Sequence, residues 1–484
     1  MLAWPGARLS LAAVGFGLLM ALGHAPFGAW YVSFPALAGL IWLVARTRRL
    51  GTSLWLALFG GAGYFGASLN WLVSPFLVDA PVYGWMAPFA LLGMAFGLAL
   101  FWALAAWIAA RVPDRAMGFA VALAAAELAR GYVFTGFPWA SIGHIWIETP
   151  VAQLAAFAGP SGLTLLTTLA AALVLRRSAG VVLIAAAWGY GVWVLAQPMP
   201  ADRAAVLRLV QPNAEQSMKW DPDQAQIFMD RLLSLTAERP APDLVIWPET
   251  ALPYLLDRHP EIPGFLAAAA GGAQMAFGMQ RVDGDRGYNT LAVMTAAGEI
   301  TQSYDKHHLV PFGEYIPFGD LAYDWFGLRA FAAQVGNGYS AGTGPKLLDF
   351  GPKLGRALPL ICYEAVFPQD LRGTARPDWL LQVTNDAWFG SFSGPFQHAD
   401  QARLRAIEQG LPLVRVANTG VTAVYDARGR VVAALDFQKA GAMTLALPGA
   451  LPATLYSRWG EGPVLLLLLG LGLAAIRRRR VADA

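Results

Sequence analysis

Three side chains able to do acyl-transfer chemistry stand at or near the ends of short apolar runs. Glu249 follows Leu244-Val-Ile-Trp-Pro, and Cys362 follows Ala357-Leu-Pro-Leu-Ile. Lys306 lies between them, in the polar and aromatic segment Tyr304-Asp-Lys-His-His-Leu-Val-Pro-Phe-Gly-Glu-Tyr315. A free thiol has a pKa of about 8.5 and needs a base or a cation to become a thiolate. A carboxylate could take that proton. An ammonium, helped by a backbone N–H after the cysteine, could stabilise the charge that develops on an ester or amide carbonyl oxygen. The product would be a thioester that a second nucleophile resolves. Each residue also has an ordinary reading: a buried small hydrophobe for Cys362, a cap or ion-pair partner for Glu249, a solvated charge for Lys306. Residue types and spacing alone leave both readings open.

Such residues need rigid strand ends to aim them into a crevice. Short β-rich runs at 206–210, 244–247, 357–361, 379–383 and 413–416 fit that role. Helical spacing at 223–238 and 401–409 separates several of them, and a hairpin turns at Asp426–Gly429. About 250 residues of this pattern predict one α/β or α-β-β-α sandwich domain.

The remainder of the chain is of another kind. Of 484 residues, 56% are hydrophobic and 14% charged, with mean hydropathy +0.45. This excludes a disordered chain, a disulfide scaffold and an ordinary cytosolic enzyme. The net charge of +3 is too small for this length to indicate a nucleic-acid partner. One cysteine permits no internal disulfide. Only 13 of the 67 charged residues fall in positions 1–197, and the first lysine is Lys219. A membrane-spanning helix needs about 20 apolar residues. Seven spans are predicted before residue 200, at 9–24, 30–45, 52–73, 85–110, 116–134, 152–175 and 179–197, and an eighth at 462–476.

Arginines fix the expected orientation. Arg46, Arg48 and Arg49 follow the second span, Arg111 and Arg115 the fourth, Arg176 and Arg177 the sixth, and Arg477 to Arg480 the eighth. Both termini then lie in the cytoplasm and residues 198–461 outside it. The expected domains are 1–197 (transmembrane), 198–461 (catalytic) and 462–484 (a last helix with a basic tail). Glu127 and Arg130, three apart on the fifth span, are expected to pair. Trp388, Phe389, Phe392 and Phe396 are expected to line a lipid portal or to serve as interfacial anchors.

The segments around Glu249, Lys306 with Pro311-Phe-Gly-Glu314, and Leu360-Ile-Cys-Tyr-Glu364 resemble the carbon–nitrogen hydrolase (nitrilase) superfamily. Trp247-Pro-Glu-Thr250, Gln216-Ser-Met-Lys-Trp-Asp-Pro222, His24-Ala-Pro-Phe27, Gly136-Phe-Pro-Trp139 and Thr384-Asn-Asp-Ala-Trp-Phe-Gly390 are more particular. With the apolar flanks, they resemble the membrane-embedded bacterial apolipoprotein N-acyltransferases over nearly the whole chain. The resemblance implies an inner-membrane enzyme with a periplasmic catalytic domain and no cofactor. It implies that Cys362 takes a fatty acyl chain from a phospholipid and passes it to the α-amine of a diacylglyceryl-cysteine apolipoprotein. Glu249 would be the base and Lys306 the oxyanion stabiliser. Glu314, Tyr363 and Glu364 would support them, Trp220 would touch acyl chains or substrate, and Asn385 would bond near the site. A monomer is implied.

A membrane-anchored amidase that hydrolyses its thioester with water is the alternative, since it would use the same three residues. A transporter is disfavoured by the few charges in the spans and by the large outer segment. No metal site is expected: the six histidines form no HExxH, and His307-His308 are adjacent.

Overall fold

A computed structural model of the chain describes residues 4–176, 178–216, 218–219, 222–317 and 338–483. It forms two compact units: Met1–Pro198 with Phe389–Gly410 and Pro452–Ala484, and Met199–Trp388 with Leu411–Leu451.

The first unit is helical. Its longer N-terminal helices are α1 (Ala7–Ala21), α2 (Trp30–Arg46), α3 (Leu50–Ser68), α4 (Ala87–Ala109), α5 (Arg115–Arg130), α6 (Ala155–Val174) and α7 (Ala179–Ala196). Small residues let their backbones approach, as expected for helices with no aqueous driving force between them. Gly17 of α1 meets the main chain of α3 at Gly60 and Tyr64, and Gly63 of α3 meets that of α1 at Val14. A Cβ at either would overlap main-chain atoms. Among the described residues, three stretches are long and apolar enough to cross a membrane: Ala80–Ala109, Pro150–Val174 and Ala179–Ala196. A fourth, Leu50–Ser68 with Asn70–Leu77, is bent by 64°, while Ala7–Ala21, Trp30–Arg46 and Gly462–Ala475 are shorter apolar helices.

Helix α5 carries the anticipated ion pair. Arg130 Nη2 lies 2.7 Å from Glu127 Oε2, and both residues are buried. Trp102 Nε1 donates to Glu127 Oε1 at 2.9 Å, and Arg130 donates to the carbonyls of Phe137 and Trp139. The pair therefore ties α4 and α5 to the loop that follows. Buried charges persist only when paired and hydrogen-bonded in this way. Phe389 packs against Trp71, Trp139 and His398 and is buried, whereas Phe392 is exposed beside Phe27.

Among the described residues, the second unit holds twelve strands: β1 (Val206–Gln211), β2 (Leu244–Ile246), β3 (Gln274–Asp283), β4 (Arg286–Met294), β5 (Ile300–Asp305), β6 (Leu348–Asp349), β7 (Arg356–Ile361), β8 (Trp379–Thr384), β9 (Leu413–Ala417), β10 (Ala423–Tyr425), β11 (Val431–Ala434) and β12 (Gly441–Ala446). They form two six-stranded sheets, ordered β12-β1-β2-β3-β4-β5 and β11-β10-β9-β8-β7-β6. Strands β1, β2 and β3 are mutually parallel, as are β7, β8 and β9, and every other pairing is antiparallel. The two sheets thus share one pattern of pairing. Helices Pro222–Thr236 and Ile262–Ala270 make the crossovers from β1 to β2 and from β2 to β3. Their apolar faces close a core with Val245, Trp247, Met275 and Phe277, and Trp247 Nε1 donates to Thr236 Oγ1 at 2.9 Å.

Gly278 on β3 passes close beneath the turn that follows β2. A Cβ there would overlap the carbonyl of Pro248 and lie 2.5 Å from Thr250 N and 2.7 Å from Glu249 Cα. Gly278→Ala should therefore shift the Glu249 turn and destabilise the unit by about 1–3 kcal/mol, the usual cost of overpacking. Thermal unfolding in detergent checks this; an unchanged midpoint would show that the turn yields freely.

Candidate active site

Four chain segments converge on one buried cluster. Glu249 stands three residues beyond β2, Lys306 one residue beyond β5, Cys362 one residue beyond β7 and Asn385 one residue beyond β8. Side chains at strand ends are held by backbone ladders, which fixes their aim. Lys306 is also tied through its own N–H, which donates to the carbonyl of Asn289 on β4 at 2.9 Å.

The charges are compensated within the cluster. Lys306 Nζ lies 2.8 Å from Glu314 Oε2 and 3.8 Å from Glu249 Oε1. Lys306 is 1% exposed and Glu249 6%. Burial works against the ammonium, but Glu314, followed by Cys362 and Glu249, outweighs it and holds Lys306 well above the ordinary lysine range. The cluster thus favours the charged form of this amine. Glu249 receives two further donors, Asn289 Nδ2 to Oε1 and the backbone N–H of Asn385 to Oε2, both at 2.7 Å. Cys362 is 5% exposed. Burial and then Glu249 push its thiol well up, while Lys306 and a hydrogen bond with Thr384 pull the other way.

Backbone strain marks the same places. Thr250, Phe312 and Cys362 have φ of 44°, 64° and 52°, each costing about 1–3 kcal/mol outside glycine. Neighbouring bonds hold these turns. Lys219 Nζ donates to Thr250 Oγ1 at 2.8 Å and to the Glu249 carbonyl at 3.3 Å, and desolvation lowers its pKa to about 8. Gln382 Nε2 donates to the Cys362 carbonyl at 3.2 Å, and Glu314 Oε2 accepts from Val310 N at 2.8 Å.

Comparison with known proteins places this geometry in a context. Residues 16–173 match the family described as the Apolipoprotein N-acyltransferase N-terminal domain, and residues 203–451 match Carbon-nitrogen hydrolase. A Sinorhizobium fredii protein named apolipoprotein N-acyltransferase is 38% identical, covering 97% of this chain and 96% of its own. The chain belongs to the apolipoprotein N-acyltransferase family. A Caulobacter vibrioides relative of the same name is 38% identical over 98% of this chain and 95% of its own. One from Brucella melitensis is 37% identical over 98% and 97%.

In this family member, Glu249, Lys306, Glu314 and Cys362 come together as a single electrostatic cluster. Asn385 joins it through its backbone, while its side chain bonds Gln216 and Asn418. Tyr363 packs edge-on against His308 and Phe367. Trp220 lies outside the described residues. Sequence reasoning missed Asn289 and Lys219; a buried asparagine amid apolar residues of β4 was the one available signal for the former.

Glu364 is a strap between two strand ends. Its Oε2 accepts from Ile361 N at 2.7 Å; its Oε1 accepts from His307 N and Tyr304 OH, both at 2.8 Å. The Cys362 turn is thereby tied to the Lys306 segment. His307 Nδ1 stands 2.7 Å from Glu364 Oε1, and its Nε2 lies 3.7 Å from Asp370. Burial opposes its charge, yet Asp370 and Glu364 raise its pKa to about 10. A value above the ordinary 6.5 means that the stabilisation is complete below about pH 6.5 and disappears as pH rises through about 10. His307→Gln should therefore lower the unfolding midpoint at neutral pH, with the gap to the unmodified protein closing as pH passes about 10. A constant gap across that range would refute the charged pairing.

Proposed function

We propose that this chain moves a fatty acyl chain from a membrane phospholipid to the α-amine of the N-terminal diacylglyceryl-cysteine of an apolipoprotein, through a thioester on Cys362. The observation that carries this reading is the buried Glu249–Lys306–Glu314 cluster coupled to Cys362, in a chain whose full-length relatives bear the name apolipoprotein N-acyltransferase.

Glu249 takes the thiol proton, and Cys362 Sγ attacks the ester carbonyl of the phospholipid. The C–S bond forms as the oxygen of the carbonyl becomes an oxyanion, facing the Lys306 ammonium and an N–H at the start of the 362–366 turn. Collapse breaks the C–O bond, and the proton on Glu249 passes to the departing lysophospholipid. In the second half, Glu249 receives a proton from the incoming amine, whose nitrogen attacks the thioester. The C–N bond forms, the C–S bond breaks and the thiol is restored. Because the thiol is pushed up by burial, proton removal must be concerted with attack, which fits a base already held by two donors. Glu314 keeps Lys306 charged, Glu364 and Tyr363 position the cysteine turn, Asn385 positions Glu249, and Trp220 contacts acyl chains.

The same reading takes the chain as eight spans, 1–197 and 462–484 holding the membrane helices and 198–461 the catalytic domain. It places the protein in the inner membrane as a monomer, with both termini cytoplasmic and the catalytic domain periplasmic. The distribution of arginines at alternate connections supports this orientation.

Incubation with phospholipid and no acceptor should give a hydroxylamine-labile adduct of one acyl chain by intact mass, absent in Cys362→Ala. The adduct should discharge onto a diacylated lipopeptide amine far faster than onto water. Glu249→Gln should slow its formation by about 10²–10⁴-fold, and Lys306→Gln by about 10²–10³-fold. No adduct on folded protein would refute the phospholipid donor; rapid discharge to water would favour the amidase.

A further inference from the structure

At one end of the helical unit, arginines from three segments meet around a groove that plays no part in the proposed chemistry. Arg46 closes α2, Arg115 opens α5 and Arg176 follows α6. With Trp42, Asp114 and Leu175 they line a space of about 630 Å³, within the range of small-ligand sites. We propose that this groove binds the head group of an anionic phospholipid.

Charge balance is the first argument. Three guanidiniums face a single carboxylate among the lining residues, and Asp114 is engaged by Arg176. The other two arginines rest on neutral partners. Arg115 Nη1 donates to the Thr47 carbonyl at 2.6 Å, and the Arg46 guanidinium lies 4.4 Å from the centre of the Trp42 ring. Those contacts orient the guanidiniums without cancelling their charge, so the groove carries an excess of about two positive charges. Such forks suit phosphate oxygens, which accept two parallel N–H bonds from one arginine.

The walls are the second argument, and they favour a lipid over a free phosphate. Trp42 is 45% exposed and Leu175 37%, apolar surface that an inorganic ion would leave in water. A tryptophan beside an arginine at a helix end is the usual furniture of the membrane interface. The arrangement repeats on α4, where the Arg111 guanidinium lies 3.3 Å from the centre of the Trp107 ring. Basic pockets between membrane helices take anionic head groups for these reasons. The inference is independent of the catalytic reading, because no residue of that site is involved.

The test uses the full-length chain, delipidated in detergent and titrated in native mass spectrometry. Phosphatidylglycerol is the anionic probe, phosphatidylcholine the neutral one and inorganic phosphate the free anion. One phosphatidylglycerol should bind more tightly than phosphatidylcholine. Arg46→Gln should weaken it about five-fold, without changing the lipid-free unfolding temperature. Arg8→Gln, at the start of α1 and outside the groove, should leave it unchanged. Equal losses in both variants would reduce the effect to diffuse attraction and overturn the proposal. So would equal affinity for the two lipids, or phosphate binding as tightly as the lipid.

Discussion

Lys306 is an amine with almost no access to water, and two carboxylates within 4 Å favour its ammonium form. Stripping an ion of its hydration costs several kcal/mol unless partners replace the lost water. That requirement reaches through the whole α/β unit. Glu314 must come from the segment after Lys306, Glu249 from the end of β2, and both must meet at a point reached only if β2, β4 and β5 share one sheet in the observed order. The second sheet must then bring the end of β8 close enough for Asn385 to cap the free oxygen of Glu249. The site is therefore a product of strand order more than of any one loop.

The same electrostatics explain what was legible in the sequence. Strands β1, β2, β7, β8 and β9 are short, mainly apolar runs, as strands buried on both faces should be, and they could be placed almost to the residue. Strands β3, β4, β5 and β12 mix glycine, polar and apolar residues, so no clean period announced them. Glu249, Lys306 and Cys362 were visible as polar residues at or near strand ends, but their mutual contact was not, because it joins residues more than 50 positions apart. Asn289 and Lys219 act by bonding to those residues, and a one-dimensional pattern carries no trace of such partners. The helix Gly394–Gln409 was foreseen only from 401 onward, and its membership of the helical unit had no sequence signal.

The helical unit solves a related problem by different means. It keeps few charges, and two of its buried ion pairs, Glu127 with Arg130 and Arg405 with Glu408, are made within a turn. Glycines in α1 and α3 let those two backbones approach closely, and large buried side chains such as Trp102, Phe65 and Trp146 fill the space around them. Arg46, Arg111, Arg115 and Arg176 stand at or just beyond helix ends, where their charge can meet water or head groups. A low charge density thus reflects economy of placement: each ion has a specific partner or a specific surface.

The shared pairing pattern of the two sheets has one difference. In the second sheet, the strand flanking the parallel trio is β6, made just before β7; in the first, it is β12, the last strand of the unit, with Val206 opposite Ala446. The chain therefore enters and leaves the α/β unit side by side, and Arg203 N still bonds the Leu447 carbonyl beyond the paired strands. During synthesis, the flank of β1 stays an open edge until residues 441–446 have been made, and open edges invite wrong partners. The first sheet, whose second strand end carries Glu249, is therefore complete only once the last strand of the unit has been made, long after the first.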